Sequence, residues 1–542
     1  MKSAIHMLLA ATAIGVAMYG PAVAQEAPTA PEGSAQEATL PPPTAGDVRT
    51  DAGPVSGIEQ GGMMAYLGIP YAAPPVGDLR WRPPQPPEPW TATRKGTTFA
   101  SDCAQNSDLG VFGRAGGTED CLYLNVFAAQ GARPDAKRPV LVWLHGGSLW
   151  VGSGRDYDAS KLAVEGGAIV VTVNYRLGLF GLFAHPAIDD EGHDFANYGF
   201  MDQQAALDWV QRNIERFGGD PGNVTISGES SGGTAVLGHV ASPRSAGKFQ
   251  HAIAMSGGAV ALSPGNFGAP FDLADARASG SAFAAAVGCT ERSADCMRAL
   301  PTKRILDEQT PFLINQMIID GTTFPERPSE AFKSGRFNRV TLINGNTRNE
   351  GTFFTAFRES LVGTTLTESD YASAMSVYFR KLTPKVVEAY PLKDYANPTD
   401  IYATAVTDYL FACSGLAMTR WASQYMPVYA YEFSDGTAPS YIAQTTFPLL
   451  SAHTFELSYL FPGFHGGDGT TVKLNSLQER LSKAMVTYWT QASGMAERGD
   501  EWPRYDPARD NVMELVQPAP KSRDQAFRIA HKCDFWDASG AY

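Results

Sequence analysis

The segment Gly228-Glu-Ser-Ser-Gly232 constrains this chain more than any other. A short β-prone run, Val224-Thr-Ile226, precedes it, and a helical pattern starts at about Ser231. A serine with a glycine two residues away on each side, between strand and helix, reads as a sharp turn that lifts the hydroxyl clear of the backbone. Such a turn needs a strand running straight into a helix that packs back on the sheet, so the pentapeptide alone argues for a layered α/β architecture. The helix start beside it offers free N–H groups where negative charge would develop. Ser230 is the candidate nucleophile.

The remaining pattern agrees with an α/β chain. Apolar runs at 139–144 and 168–173 read as buried parallel strands. Helical periodicity runs from 197 to 217 through Met201, Ala205, Leu207, Trp209, Val210 and Ile214, and stops at Gly218-Gly219. Strands at about 251–255, 340–343 and 428–433 follow, with a helix at about 477–492. The expectation is a mostly parallel central sheet flanked by helices, with the irregular stretch 257–337 forming a cap or pocket wall. Neither repeats nor a second linker interrupt this alternation, so 47–542 is expected to be one catalytic domain.

The segment before it has a different character. Lys2, an apolar run from Met7 to Met18 and Ala22-Val-Ala24 fit a signal peptide over 1–24, with a mature start at Gln25. Residues 25–46, rich in Ala, Pro, Glu and Thr, read as a disordered linker. The apolar run is too short for a stable membrane anchor, and no other segment reads as an uninterrupted apolar span. The expected protein is therefore exported, to the periplasm or beyond. A net charge of −13 argues against a nucleic-acid partner, which needs cations to neutralise phosphates. Six cysteines in an exported chain point to disulfides. Cys289 with Cys296, and Cys103 with Cys121, are close enough for local loops, leaving Cys413 and Cys533; spacing alone does not choose the pairing. No cysteine–histidine pattern suggests a metal site.

The chemistry around Ser230 needs three further parts. His145-Gly-Gly-Ser148 follows the 139–144 strand, where an oxyanion-binding loop is expected, and the N–H groups of Gly147, Ser148 and Ser231 are the candidate donors. The base is expected downstream, in the chain order serine, acid, histidine. His239 and His251 come too early, His531 falls in an apparent tail, and His465 lies in a glycine-rich loop; His453, soon after the 428–433 strand, is the candidate. The acid should end an earlier strand: Glu350 follows 340–344, with Asp320 as rival. Trp150 is placed equally well to wall the pocket or to pack.

The motifs Tyr66-Leu-Gly-Ile-Pro-Tyr-Ala-Ala-Pro-Pro75, Glu119-Asp-Cys-Leu-Tyr-Leu-Asn125, Phe217-Gly-Gly-Asp-Pro221, Gly228-Glu-Ser-Ser-Gly-Gly233, Asn349-Glu-Gly351 and His453 followed by Glu456-Leu457 carry a resemblance. From about 50 to 537 the chain resembles the type-B carboxylesterase/cholinesterase family of the α/β-hydrolase fold. The resemblance implies Ser230, Glu350 and His453 as a triad, no cofactor, and the disulfides Cys103–Cys121, Cys289–Cys296 and Cys413–Cys533. It also implies supporting roles for Ser256 and Glu229. Two departures stand out: Ser148 where the family often has glycine, and Ser231 where it often has alanine, both expected to crowd the pocket slightly. The implied activity is ester hydrolysis through an acyl-enzyme on a small-molecule ester. The alternatives are amide, carbonate or thioester cleavage, or a non-catalytic binding protein of the same fold. Cholinesterases carry a cation-binding tryptophan in the loop closed by their first disulfide. Residues 104–120 here have none, and Phe112 is their only aromatic. Acyl and alcohol preference, and the oligomeric state, are not legible in the sequence.

Overall fold

The computed structural model describes residues 46–106, 114–289, 294–442, 445–466 and 469–542. The expected signal peptide, all but the last residue of the expected linker, and Phe112 lie outside the described residues.

An 11-stranded sheet organises the chain. In chain order its strands are β1 (Ile58–Gln60), β2 (Met63–Pro70), β3 (Tyr123–Ala129), β4 (Arg138–Leu144), β5 (Ile169–Val173), β6 (Gly219–Glu229), β7 (His251–Met255), β8 (Thr341–Thr347), β9 (Val428–Phe433), β10 (Asn511–Leu515) and β11 (Lys521–Asp524). Their spatial order is β1-β2-β3-β5-β4-β6-β7-β8-β9-β10-β11. From β5 to β10 every neighbour pairs in parallel, while β1 to β3 and β11 add antiparallel margins. The sheet is thus mixed, with the expected parallel strands at its centre. The helix expected over 197–217 is α1 (Tyr198–Asn213), closed by a 3₁₀ turn, Ile214–Phe217.

Alternation along β4 explains why both faces of the sheet must be covered. Val140, Val142 and Leu144 enter one apolar cluster, with Trp209 and Val210 of α1 and Val236 and Leu237 of α2 (Ser231–Ala241). Leu141 and Trp143 enter another, with Leu481, Met485 and Trp489 of the helix Ser476–Thr490. Side chains of successive strand residues point to opposite faces, so these fully apolar strands can exist only between two helical layers. The stretch 257–337 is not without structure, since it holds the helices Leu273–Ala286, Thr302–Glu308 and Pro328–Ser334. A run of helix from Pro398 to Ser423 is long and apolar enough to cross a membrane, a feature missed in the sequence. Its most apolar window is 89% buried inside the protein, as a core helix would be.

Strand register positions everything chemical. Leu144, Gly228, Ala254, Asn344 and Ala430 form one row across five parallel strands. The loops that leave β4, β6, β7 and β8 just past this row all open at the same edge of the sheet, where ligand sites of open α/β sheets lie.

The C-terminal segment is anchored, contrary to the expectation of a tail. Cys413 bonds Cys533 across 120 residues, and Cys103–Cys121 and Cys289–Cys296 close shorter loops. Beside the long bridge, buried His531 sits with Nδ1 2.6 Å from Asp408 Oδ1 and Nε2 2.6 Å from Glu432 Oε1. Burial alone would push its pKa down, but the two carboxylates raise it to about 10. His531→Ala leaves both carboxylates buried without a cation, and is expected to destabilise the fold by about 3–5 kcal/mol in a denaturant titration. The imidazolium's share of stability is present in full below the unfolded histidine value of about 6.5. It is lost as pH rises from there towards about 10. Between those limits the variant should therefore close part of its stability gap to the parent.

Candidate active site

Ser230 stands at the junction of β6 and α2 with φ 58° and ψ −121°, a conformation unfavourable for any side-chain-bearing residue. Two bonds hold it there: its N–H donates to Met255 O (2.9 Å), and its carbonyl accepts from Thr234 N–H (2.8 Å). The following glycines make the turn possible by close approach. A Cβ on Gly232 would lie 2.1 Å from Leu144 O, and one on Gly233 would lie 2.2 Å from Met255 O. Helix α2 therefore presses directly on the ends of β4 and β7. Ser230 stays partly exposed while Glu229 and Ser231 on either side are buried.

The loop after β4 faces this turn. Gly146 lies against it, so that a Cβ there would be 3.2 Å from Ser230 Cβ. Gly147 (φ 105°), Ser148 (φ 57°) and Leu149 (φ 63°) all have positive φ. Among the described residues, the backbone N–H groups of Gly147, Ser148 and Ser231 meet no hydrogen-bond acceptor. Free donors on a tight loop and at a helix N-terminus are what an oxyanion requires. Gly146 O is engaged by His145 Nδ1 (2.8 Å), and Gly147 O accepts from Trp150 N–H (3.0 Å) and Val151 N–H (3.1 Å). Each acceptor belongs to the peptide unit whose N–H is free, so anchoring the carbonyl turns the N–H the other way. His145 is buried and stacked on Tyr175, and burial lowers its pKa to about 4, keeping it a neutral ring. Trp150 is partly exposed and its Nε1–H donates to Ile314 O (3.3 Å), tying this loop to the 257–337 region.

Glu350 and His453 are brought together. Glu350 is fully buried at the start of the helix Glu350–Val362; its Oε1 accepts from Thr347 N–H (2.7 Å) and Ser256 Oγ–H (2.6 Å). Its Oε2 hydrogen-bonds His453 Nδ1. The two loops are also pinned by their backbones: Asn349 N–H donates to Ser451 O (3.0 Å), and Ser451 Oγ–H to Asn349 Oδ1 (2.9 Å). The rivals have other duties. Asp320 accepts from Asn197 Nδ2, Thr322 N and Phe324 N in a tight turn, and His465 Nδ1 has no partner among the described residues.

His453 Nε2 lies 3.2 Å from Glu229 Oε1, without hydrogen-bond alignment, and no hydrogen bond joins it to Ser230 Oγ among the described residues. Glu229 is one of three buried carboxyls here, with Glu350 and Glu456. Burial, then the charges of Glu456 and Glu350, pushes Glu229 well above the usual carboxylate range. Burial and the charge of Glu350 do the same to Glu456, whose side-chain oxygens meet no donor from another residue among the described residues. These two therefore favour the neutral acid, whereas Glu350 has two donors and the imidazole as partners.

Sequence reasoning missed the surroundings of the histidine. Phe354 (5.0 Å between ring centroids), Phe411 (5.1 Å) and Phe353 (5.7 Å) pack around it. Phe353 and Phe354 follow Glu350 by three and four residues on one helix, a spacing that carries the signal. Phe411, in the core helix 398–423, has no local cue.

Comparison with known proteins fits this architecture. The model of the Carboxylesterase family matches residues 44–536. Para-nitrobenzyl esterase of Bacillus subtilis (strain 168) is 34% identical over 480 residues, covering 84% of this chain and 92% of its relative. Cocaine esterase of Homo sapiens is 33% identical over 502 residues, covering 88% and 87%. Fumonisin B1 esterase of Sphingopyxis macrogoltabida is 34% identical over 488 residues, covering 84% of each. A solved structure of PNB esterase superposes with a TM-score of 0.75 at 31% identity, over 90% of this chain and 99% of the other. The likeness extends over nearly the whole described fold: the chain belongs to the carboxylesterase family.

Proposed function

We propose that this carboxylic-ester hydrolase works by two-step acyl transfer at Ser230. Ser230 Oγ attacks the ester carbonyl and its proton passes to His453 Nε2, while the N–H groups of Gly147, Ser148 and Ser231 hold the oxyanion. The protonated His453 then gives its proton to the departing alkoxide, and an acyl-serine remains. Water, deprotonated by His453, attacks the acyl carbon and releases the acid. Glu350 keeps the proton of His453 on Nδ1. The observation that carries this reading is the Glu350–His453 bond beside a strained serine and three unengaged donors. The serine–histidine bond is the one link left open; such bonds often align only once substrate is present. Glu229 and Ser256 support the group, Ser256 through its bond to Glu350. A phosphonate ester should label Ser230, read by peptide mass mapping, and a label on another residue would remove the basis of the assignment.

The three disulfides support an exported protein, since such bonds persist in oxidising compartments. We read the substrate class as general carboxylic esters, without a preference for choline. A cation over an aromatic face is worth about 0.5–2 kcal/mol. The tryptophan that supplies it in cholinesterases has no counterpart in 104–120. A neutral ester of the same acyl group with an isosteric alkyl alcohol is expected to be cleaved at least as well, compared as kcat/KM at about 0.15 M salt, where long-range steering is screened. A preference of about tenfold or more for the choline ester would contradict this reading.

A further inference from the structure

The strained loop that carries two of the free donors has to be held by something outside itself. Consecutive non-glycine residues at positive φ, Ser148 and Leu149, do not stay there through local preference. Most of its anchors are remote from Ser230. Gly178 N–H donates to Leu149 O (2.8 Å), Gln105 brackets Gly152, and Trp150 reaches Ile314. One hydrogen bond is different in kind. Leu149 N–H donates to Ser231 Oγ at 3.1 Å, in a buried contact spanning 82 residues. It joins the loop to the first residue of α2, which itself carries the third free donor.

We propose that the Ser231 side chain is a latch that sets the spacing between the two halves of the oxyanion hole. Resting on the reading of Ser230 as nucleophile, the inference makes Ser231 a positioning residue through its hydroxyl as well as a donor through its N–H. The peptide unit 148–149 is fixed by the latch immediately after the Ser148 N–H. Without it, the Gly147 and Ser148 donors move relative to the Ser231 donor. The Tyr175 phenol donates to His145 O (2.6 Å), tying the residue that opens the loop. The Ser231 hydroxyl thus holds the loop at Leu149, and Tyr175 holds it at His145. Ser231 is 7% exposed. Its hydroxyl is therefore committed to this frame, and does not crowd the pocket as the sequence suggested. Ser148 Oγ has no partner among the described residues, so only one of the two serine departures supplies a tie.

Because donor placement matters most for the oxyanion, losing the latch should act on the transition state. Ser231→Ala is expected to lower kcat about tenfold with KM within about twofold, less than the loss of a whole donor. A trifluoromethyl ketone that adds to Ser230, its carbonyl carbon bonding Oγ, its oxygen taking the negative charge and the serine proton moving to His453, should bind about tenfold more weakly to the variant. The product carboxylic acid should inhibit both equally. Ser231→Thr keeps a hydroxyl and should recover most of the loss, and Ser231→Cys, similar in size but a weak acceptor, replaces the alanine variant if that fails to fold. Unchanged kcat and ketone affinity in Ser231→Ala or Ser231→Cys would overturn the latch while leaving Ser230 in place. Equal losses in ketone and product-acid binding would overturn it too, by assigning Ser231 to ground-state binding. Failure of the ketone to form an adduct at Ser230 in the parent enzyme would instead overturn the nucleophile, and this inference with it.

Discussion

Ser230→Ala is expected to lower kcat on a simple ester by at least about 10⁴-fold, because the covalent route disappears while the donors and the pocket remain. The substitution removes a single oxygen that makes no hydrogen bond among the described residues, and Met255 and Thr234 hold the turn through the backbone of residue 230. The melting curve should therefore stay close to that of the parent. Residual activity should still exceed the rate in buffer, since oriented backbone donors stabilise an oxyanion formed by direct attack of water. The measurement is steady-state kinetics with burst analysis: the parent should show an acyl-enzyme burst and the variant none. Activity within about tenfold of the parent, with an intact fold, would mean that another group attacks the ester.

How much of this was legible in the sequence follows from the kind of force at each position. The central strands were readable because their residues are mostly apolar; 251–255 and 428–433 agree to the residue with β7 and β9. The outer strands were not named. β1 is exposed throughout, β11 nearly so, and β2 has a register break between Tyr66 and Ile69, so none carries a clean periodic signal. Ser230 and the 145–148 loop were readable because strained turns demand glycine, and glycine is visible as a letter. The bond between Glu350 and His453 was anticipated from chain order and family likeness, since nothing local links residues 103 positions apart.

What stayed hidden is what depends on burial. A glutamate in a sequence is taken as solvated, yet Glu456 is completely buried, its side-chain oxygens meeting no donor from another residue among the described residues. His531 looked like part of a tail, and becomes a buried cation only because Asp408 and Glu432 arrive from distant segments. The Ser231 hydroxyl looked like added bulk because its acceptor role depends on a backbone N–H 82 residues away. In each case the residue type was visible and the partner was not.

Replacing Glu350 by glutamine is expected to cost almost as much as removing the nucleophile, for a reason that can be followed atom by atom. Oε1 of the carboxylate accepts two hydrogen bonds, from Thr347 N–H and Ser256 Oγ–H, while Oε2 meets His453 Nδ1. The Thr347 donor is backbone and cannot reverse, so the amide of Glu350→Gln must turn its oxygen towards Thr347. Its NH₂ then faces His453 Nδ1, which can only accept. The ring proton is forced to Nε2, the nitrogen that has to take the proton of Ser230. Wrong tautomer and lost negative charge act together, and kcat should fall by about 10⁴-fold at neutral pH. The shape of the side chain is nearly kept, so KM should change little and the fold should survive. Glu350→Asp is the informative companion: it retains the charge but shortens the reach, and should lose activity without reversing the tautomer. Proton NMR of the parent should show a downfield Nδ1–H resonance from the His453–Glu350 bond, absent in Glu350→Gln. If Glu350→Gln kept activity within about tenfold of the parent, the neighbouring acids Glu229 or Glu456 would have to be orienting His453, and the assignment of Glu350 would fall.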